Sequence, residues 1–240
     1  MGLFGLPSPL LTWADEWLGA VLPPAARLVL WAALGAILSM ELYRLLSPQR
    51  RITALKGELE DAKRRLSEHD GDLDGAWPLI GRMLSLALRR VGAVFPATIA
   101  ASLPLLAVII WIDSSYGRIF PRSGEPMAVE VSEPYSGRWI GSDAVKPPRV
   151  QILNGDGAVL DDVAVMAPIP VLHKQHWWNL LIGNPAGYLD DASPVDLVRL
   201  DLPRQEVLSL GPPWMRGWEF IFFLALLGTA LTFKTVRRIE

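Results

Sequence analysis

VGAVFPATIAASLPLLAVIIWI, residues 91 to 112, runs for 22 positions without a charged side chain. A helix crosses about 30 Å of hydrocarbon with roughly 20 mostly apolar residues. The stretch therefore predicts a membrane span, with Pro96 and Pro104 kinking it or packing against neighbouring helices. Two further apolar blocks, 25 to 46 and 214 to 235, follow the same logic with tighter limits. The first is uncharged only between Arg27 and Glu41 and the last only between Glu219 and Lys234, so their end charges must reach toward the interfaces. Trp31, Trp111, Trp214 and Trp218 fall where interfacial aromatics anchor such ends.

The basic residues orient these blocks. From the end of the first block to the start of the second run Arg44, Arg50, Arg51, Lys56, Lys63, Arg64, Arg65, Arg82, Arg89 and Arg90, and Lys234, Arg237 and Arg238 stand at the end of the third block and in the tail after it. Positive charge stays on the cytoplasmic side, which predicts an inside loop over 47 to 90 and an inside C-terminus. Before the first block stand Asp15 and Glu16 with no Lys or Arg until Arg27, so the N-terminus is expected outside. Residues 114 to 213 carry eight Lys or Arg against twelve Asp or Glu, as expected of an exported segment. The expected location is a plasma membrane, as the inner membrane of a prokaryote.

Between the blocks the pattern changes twice. Ile52, Leu55, Leu59, Ala62 and Leu66 recur at alternating spacings of three and four after Ser47-Pro48, the signature of a coiled-coil seam. After the polar run His69-Asp-Gly-Asp-Leu-Asp-Gly75, a second helix from about Trp77 offers Ile80, Met83, Leu84, Ala87 and Leu88 as its matching face. An antiparallel helical hairpin is expected over 47 to 90. Over 113 to 213 the short runs Met127–Val131, Val150–Leu153, Ala158–Leu160, Trp177–Ile182 and Val195–Leu202 read as strands, with Asn154-Gly-Asp-Gly157 as a hairpin turn. A small all-β sandwich is expected there. Residues 9 to 22 read as an amphipathic helix, with Leu10, Trp13, Trp17, Leu18 and Val21 on one side and Pro23-Pro24 ending it. Such a helix lies in the outer interface, so residues 1 to 24 are assigned to it.

Composition narrows the chemistry. The chain is 51% hydrophobic yet 20% charged, which fits spans joined to polar modules. Its net charge of −2 marks no basic face for nucleic acid. With no cysteine, disulfides, thiolate metal sites and cysteine nucleophiles are excluded. The start Met1-Gly2-Leu3-Phe4-Gly5 has no basic region, and no cleavable signal peptide is expected. Asp70, Asp72, Asp74 and Gly75 match half of a calcium loop, but position twelve is Gly81 and Pro78 interrupts it. His173 and His176 lie three apart without a third metal ligand at a fixed spacing. No phosphate loop, nucleophile elbow or carboxylate pair in a helical context is present. Neither enzyme activity nor a cofactor or metal is expected.

The polar residues within the blocks stand out once depth is assigned. Ser39, Thr98, Ser102, Thr229 and Thr232 all fall toward the cytoplasmic half, and Thr98 with Ser102 and Thr229 with Thr232 share helix faces. They admit two readings. One is a polar groove open to the cytosol, which eases polar peptide through the inner leaflet. The other is that each hydroxyl bonds to its own helix or joins two helices.

The run Leu45-Leu-Ser-Pro-Gln-Arg-Arg-Ile52, then Leu55-Lys-Gly-Glu-Leu59 and Arg82-Met-Leu-Ser-Leu-Ala-Leu88, leads into Phe95-Pro-Ala97 and Leu103-Pro-Leu105. With the ending Trp214-Met-Arg-Gly-Trp-Glu-Phe220, these segments resemble the YidC/Oxa/Get membrane insertase superfamily. They are most similar to its small three-span branch, which includes archaeal YidC-like proteins and the third subunit of the ER membrane complex. The likeness covers roughly residues 10 to 112 and 212 to 240. It implies a protein that helps polypeptides enter the bilayer without ATP, through a groove lined by Ser39, Thr98, Ser102, Thr229 and Thr232. It also implies that Met83 and Leu84 of the hairpin touch the client. Arg27 is the nearest counterpart here of the groove arginine of bacterial YidC, and it stands at the outer end of its block. Lipids, client polypeptides and either another membrane subunit or a second copy are the expected partners. A structural subunit of a larger membrane complex is the alternative on the same scaffold. A third possibility is a receptor with a ligand pocket among Trp139, Trp177 and Trp178.

Overall fold

A computed structural model describes residues 2–69, 71, 73–122, 124–142 and 146–237, without the side chains of Leu73 and Asp74. The half calcium loop falls largely outside that set, because Asp70 and Asp72 lie outside the described residues, as does Arg238. The chain forms two compact units. One takes residues up to Trp31 together with Leu106–Phe223, and the other takes Ala32–Leu105 and the chain from Leu224 onward.

Among the described residues, three helices are long and apolar enough to cross a membrane. Helix α2, Pro24–Leu46, starts on a proline, where the missing N–H is not needed. Helix α4, Leu73–Tyr116, is 44 residues long, about 66 Å at 1.5 Å per residue. It joins the second arm of the hairpin and the apolar block in one element, and Pro78, Pro96 and Pro104 sit within it. Helix α6, Trp218–Arg237, is set off by Gly217 from a single turn, α5, at Pro213–Arg216. A shorter helix, α1 at Ser8–Gly19, precedes α2.

Helix α3, Gln49–Ser67, buries Ile52, Leu55, Leu59 and Ala62, the expected seam. Its partner face on α4 differs from expectation. Leu86 is buried against the seam, with Met83, Ala87 and Ala93 packed beside it, whereas Leu84 and Leu88 are exposed. Residues 83, 86 and 93 keep the three-and-four rhythm of a packed seam, and Leu84 and Leu88 lie off that stripe. Above the hairpin, α2 and α4 approach through small residues. Ala32, Ala36, Ala97 and Ala101 are buried, and a Cβ at Gly35 would stand 3.1 Å from Leu105.

Among the described residues between α4 and α5 lie two three-stranded antiparallel sheets. One is ordered β1 (Val129–Val131), β6 (Leu197–Leu200), β5 (Val171–His173), and the other β2 (Ser136–Ile140), β3 (Arg149–Leu153), β4 (Val159–Ala164). Val150 and Ile152 of β3 join Leu172, Val198 and Leu200 of the other sheet in one buried cluster. The turn between β3 and β4 forms as its sequence foretells. Asn154 Oδ1 accepts from Asp156 N at 3.1 Å and Ala158 N at 2.8 Å, and Gly157 takes φ +81°. The chain leaving α4 pairs with the chain returning to α5, through Ile119 N to Pro203 O at 3.1 Å and Arg118 Nη1 to Leu202 O at 2.6 Å.

The expected strand at Trp177–Ile182 is absent. Trp177–Leu180 is a 3-10 turn closed by buried Asn179. Asn179 Oδ1 accepts from His176 N at 2.7 Å and its Nδ2 donates to Ile182 O at 3.1 Å. One side chain thus holds both ends of the loop, and the backbone does not extend.

Candidate functional site

The charges of the hairpin arm stop at Arg90, and the uncharged block begins one residue later. At this junction α3 and α4 leave an open hollow of about 470 Å³. Leu59 of α3 and Ala87, Val91, Val94 and Phe95 of α4 make it apolar, and among the described residues Arg90 is the one charged residue lining it. Thr98 also lines it, with its hydroxyl donating to Val94 O of its own helix at 3.1 Å. Phe95 is exposed, so the wall presents a free ring. The size lies within the few hundred Å³ typical of sites that take an apolar group. Such an apolar wall can take up an apolar group by desolvation.

The other hydroxyls lie outside this hollow. Ser39 Oγ, half-buried, donates to Ala101 O at 2.8 Å and so ties α2 to α4. Ser102 Oγ donates to Ile99 O at 2.8 Å and Thr232 Oγ1 to Gly228 O at 2.8 Å, each within its own helix, and both residues are exposed. Thr229 is half-buried on α6. Met83 packs in the hairpin seam and Leu84 faces outward. Glu41 accepts from Arg44 Nε at 2.8 Å and from Arg237 Nη2 at 3.2 Å, which fastens the end of α6 to α2.

A second polar centre lies in the other unit and was not foreseen. Asp15 of α1 is buried, and its carboxylate accepts from Arg27 Nη1, from Trp31 Nε1 at 2.9 Å and from the Tyr116 hydroxyl at 2.7 Å. The guanidinium of Arg27 also lies 5.5 Å from the centre of the Tyr116 ring. Trp111 adds a hydrogen bond from Nε1 to Thr12 Oγ1 at 2.9 Å and packs edge-on against Trp31. Arg27 is therefore neutralised by α1 rather than presented to a groove. The partners of Asp15 lie 12, 16 and 101 residues from it in the chain, and no local pattern announces them.

The remaining candidates disperse. His173 and His176 stack with ring centres 5.6 Å apart, and Trp178 packs against both. Among the described residues no group of three His, Asp or Glu side chains gathers as a metal site would require. Trp139 stacks on Phe120 while Trp177 is exposed, so the three tryptophans find different neighbours. No family model, curated protein or solved structure matches this chain.

Proposed function

We propose that this chain is an integral membrane protein that helps polypeptides enter the bilayer, taking up their apolar segments at the hollow between the hairpin base and α4. The observation that carries this reading is the open apolar hollow set where a charged arm becomes an uncharged, span-length helix. A client segment leaving water would first cover Leu59, Ala87 and Phe95, and then follow the α4 face bearing Thr98 and Ser102 into the acyl region. Burial of its apolar surface supplies the driving force, so no nucleotide is needed.

On this reading α2, α4 and α6 are transmembrane helices of a prokaryotic plasma membrane. The hairpin and C-terminus are cytoplasmic, and the N-terminus and the β region, a small sandwich, are outside. Exposed Leu38 on α2, Leu103 on α4 and Leu227 on α6 then face lipid. Partners are lipids, clients, and a further membrane subunit or second copy. The lack of cysteine allows single-cysteine crosslinkers at Phe95 and Ser102. Crosslinks to a range of nascent membrane proteins support the proposal, and crosslinks confined to one stable neighbour reject it. Such a neighbour would establish the second reading, a structural subunit without insertion activity. What favours that reading is that the hydroxyl protons of Ser39, Thr98, Ser102 and Thr232 are already engaged by backbone carbonyls.

A further inference from the structure

The loop Trp177–Ile182, which replaces the expected strand, has an unusual surface for part of a β region. Trp177 is 79% exposed and Leu180 71%, and Leu181 and Ile182 are exposed beside them. A polar anchor, Asn179, holds the loop from within, so these side chains are turned outward by a fixed backbone. From Gln175 to Leu189 there is no Lys, Arg, Asp or Glu, and there is none before Asp15 either.

These two uncharged segments are joined. Phe4 N donates to Leu181 O at 3.0 Å, and a Cβ at Gly2 would collide with the backbone of Leu181 to Gly183. The N-terminal segment itself exposes Leu3, Leu6, Leu10, Trp13 and Trp17, while its one buried charged residue, Asp15, points toward α2 and α4. The level of the loop along α4 is fixed as well. Trp178, Asn179 and Ile182 line one cleft with Ile110, Asp113 and Ser114, so the loop lies beside the last turns of the apolar block.

We propose that Trp177–Ile182 and the exposed side of Leu3–Trp17 form one apolar face immersed in the outer headgroup and acyl boundary of the membrane, holding the β region against lipid. This rests on the membrane-spanning reading above and adds an anchor to it that the helices alone do not supply. Lipid is the occupant that the face fits. It is rich in Trp and Leu, is uncharged along Trp177–Ile182 and carries the exposed Glu16 near the end of Leu3–Trp17, and it is level with the end of a span-length helix, as interfacial anchors are.

The test uses the full chain, free of cysteine, in vesicles of phosphatidylethanolamine and phosphatidylglycerol. Nitroxide labels at Leu180→Cys, Leu6→Cys, Asp156→Cys and Leu103→Cys are exposed in turn to oxygen, which concentrates in lipid, and to a water-soluble nickel chelate. The expected result is a severalfold higher ratio of oxygen to nickel accessibility at positions 180 and 6 than at 156. A water-like ratio at 180 with a lipid-like ratio at 103 overturns the anchor and leaves the spans standing. Water-like ratios at both overturn the spanning reading too. Shielding from both reagents at 180, with broadening between labels, places a second copy on the face and overturns lipid as its occupant.

Discussion

Around Asp15, side chains from α2 and α4 converge on a single carboxylate, whereas around Thr98 the hydroxyl is turned back on its own helix and the apolar wall is left open. Both regions place a polar group against an apolar helix, and they satisfy it in opposite ways. A buried carboxylate shared by Arg27, Trp31 and Tyr116 is held from several elements and cannot move alone. A self-bonded Thr98 asks nothing of its neighbours, so the surface beside it is free to be covered and uncovered. The first region holds the helices' ends together, and on the proposed reading the second binds and releases.

That contrast can be broken most sharply at Asp15. Asp15→Ala leaves the Arg27 guanidinium, whose side chain is only 16% exposed, without its counter-charge. We expect a loss of about 3 kcal/mol, read as a fall in thermal stability in detergent micelles. The double change Asp15→Leu with Arg27→Met should recover most of it, because the uncompensated charge is gone. An undiminished melting temperature in Asp15→Ala would mean that the centre holds nothing.

At the hollow the effect is expected on binding rather than stability. Phe95→Ser removes an exposed ring from the wall, and burial of such a ring stabilises by about 1.5–3 kcal/mol. Crosslinking of clients from a label at position 91 should fall roughly tenfold, with the melting temperature unchanged. Replacing Thr98 and Ser102 together by leucine separates the two readings of the hydroxyls. A loss of insertion at normal expression indicates that polarity along α4 matters, and retained insertion indicates that it does not. The smallest change is expected at Ser39→Ala, which removes one bond between α2 and α4 worth about 0.6 kcal/mol, again read from thermal stability.

The apolar helices were legible because length and lack of charge are properties of single segments. The seam of α3 was legible for the same reason, and so was the turn at Asn154–Gly157, where one side chain and one glycine fix the geometry locally. The matching face of α4 was read off by a few residues, since Leu84, Leu86 and Leu88 are all apolar and only packing against Leu55 and Leu59 selects Leu86. Trp177–Ile182 looked like a strand because its side chains suit one. Asn179, which closes it, binds backbone groups within three residues, and its burial depends on the surrounding fold. Asp15 reads in the sequence only as one of two acidic residues before the first apolar block, and its partners, brought from α2 and the end of α4, cannot be read from spacing. Of the hydroxyls grouped by depth, only Thr98 lines the hollow, while Ser39 joins two helices.

On the proposed reading, the compartment that supplies the client is set by the side of the membrane where the hairpin lies. Single cysteines at Ser67 in the hairpin and Asp156 in the β3–β4 turn, both exposed, can be labelled in intact spheroplasts with a membrane-impermeant maleimide. The account predicts labelling of Asp156→Cys from outside and of Ser67→Cys only after lysis. Labelling of Ser67→Cys in intact cells, with Asp156→Cys protected, would contradict it, because the hollow would then open to the wrong side.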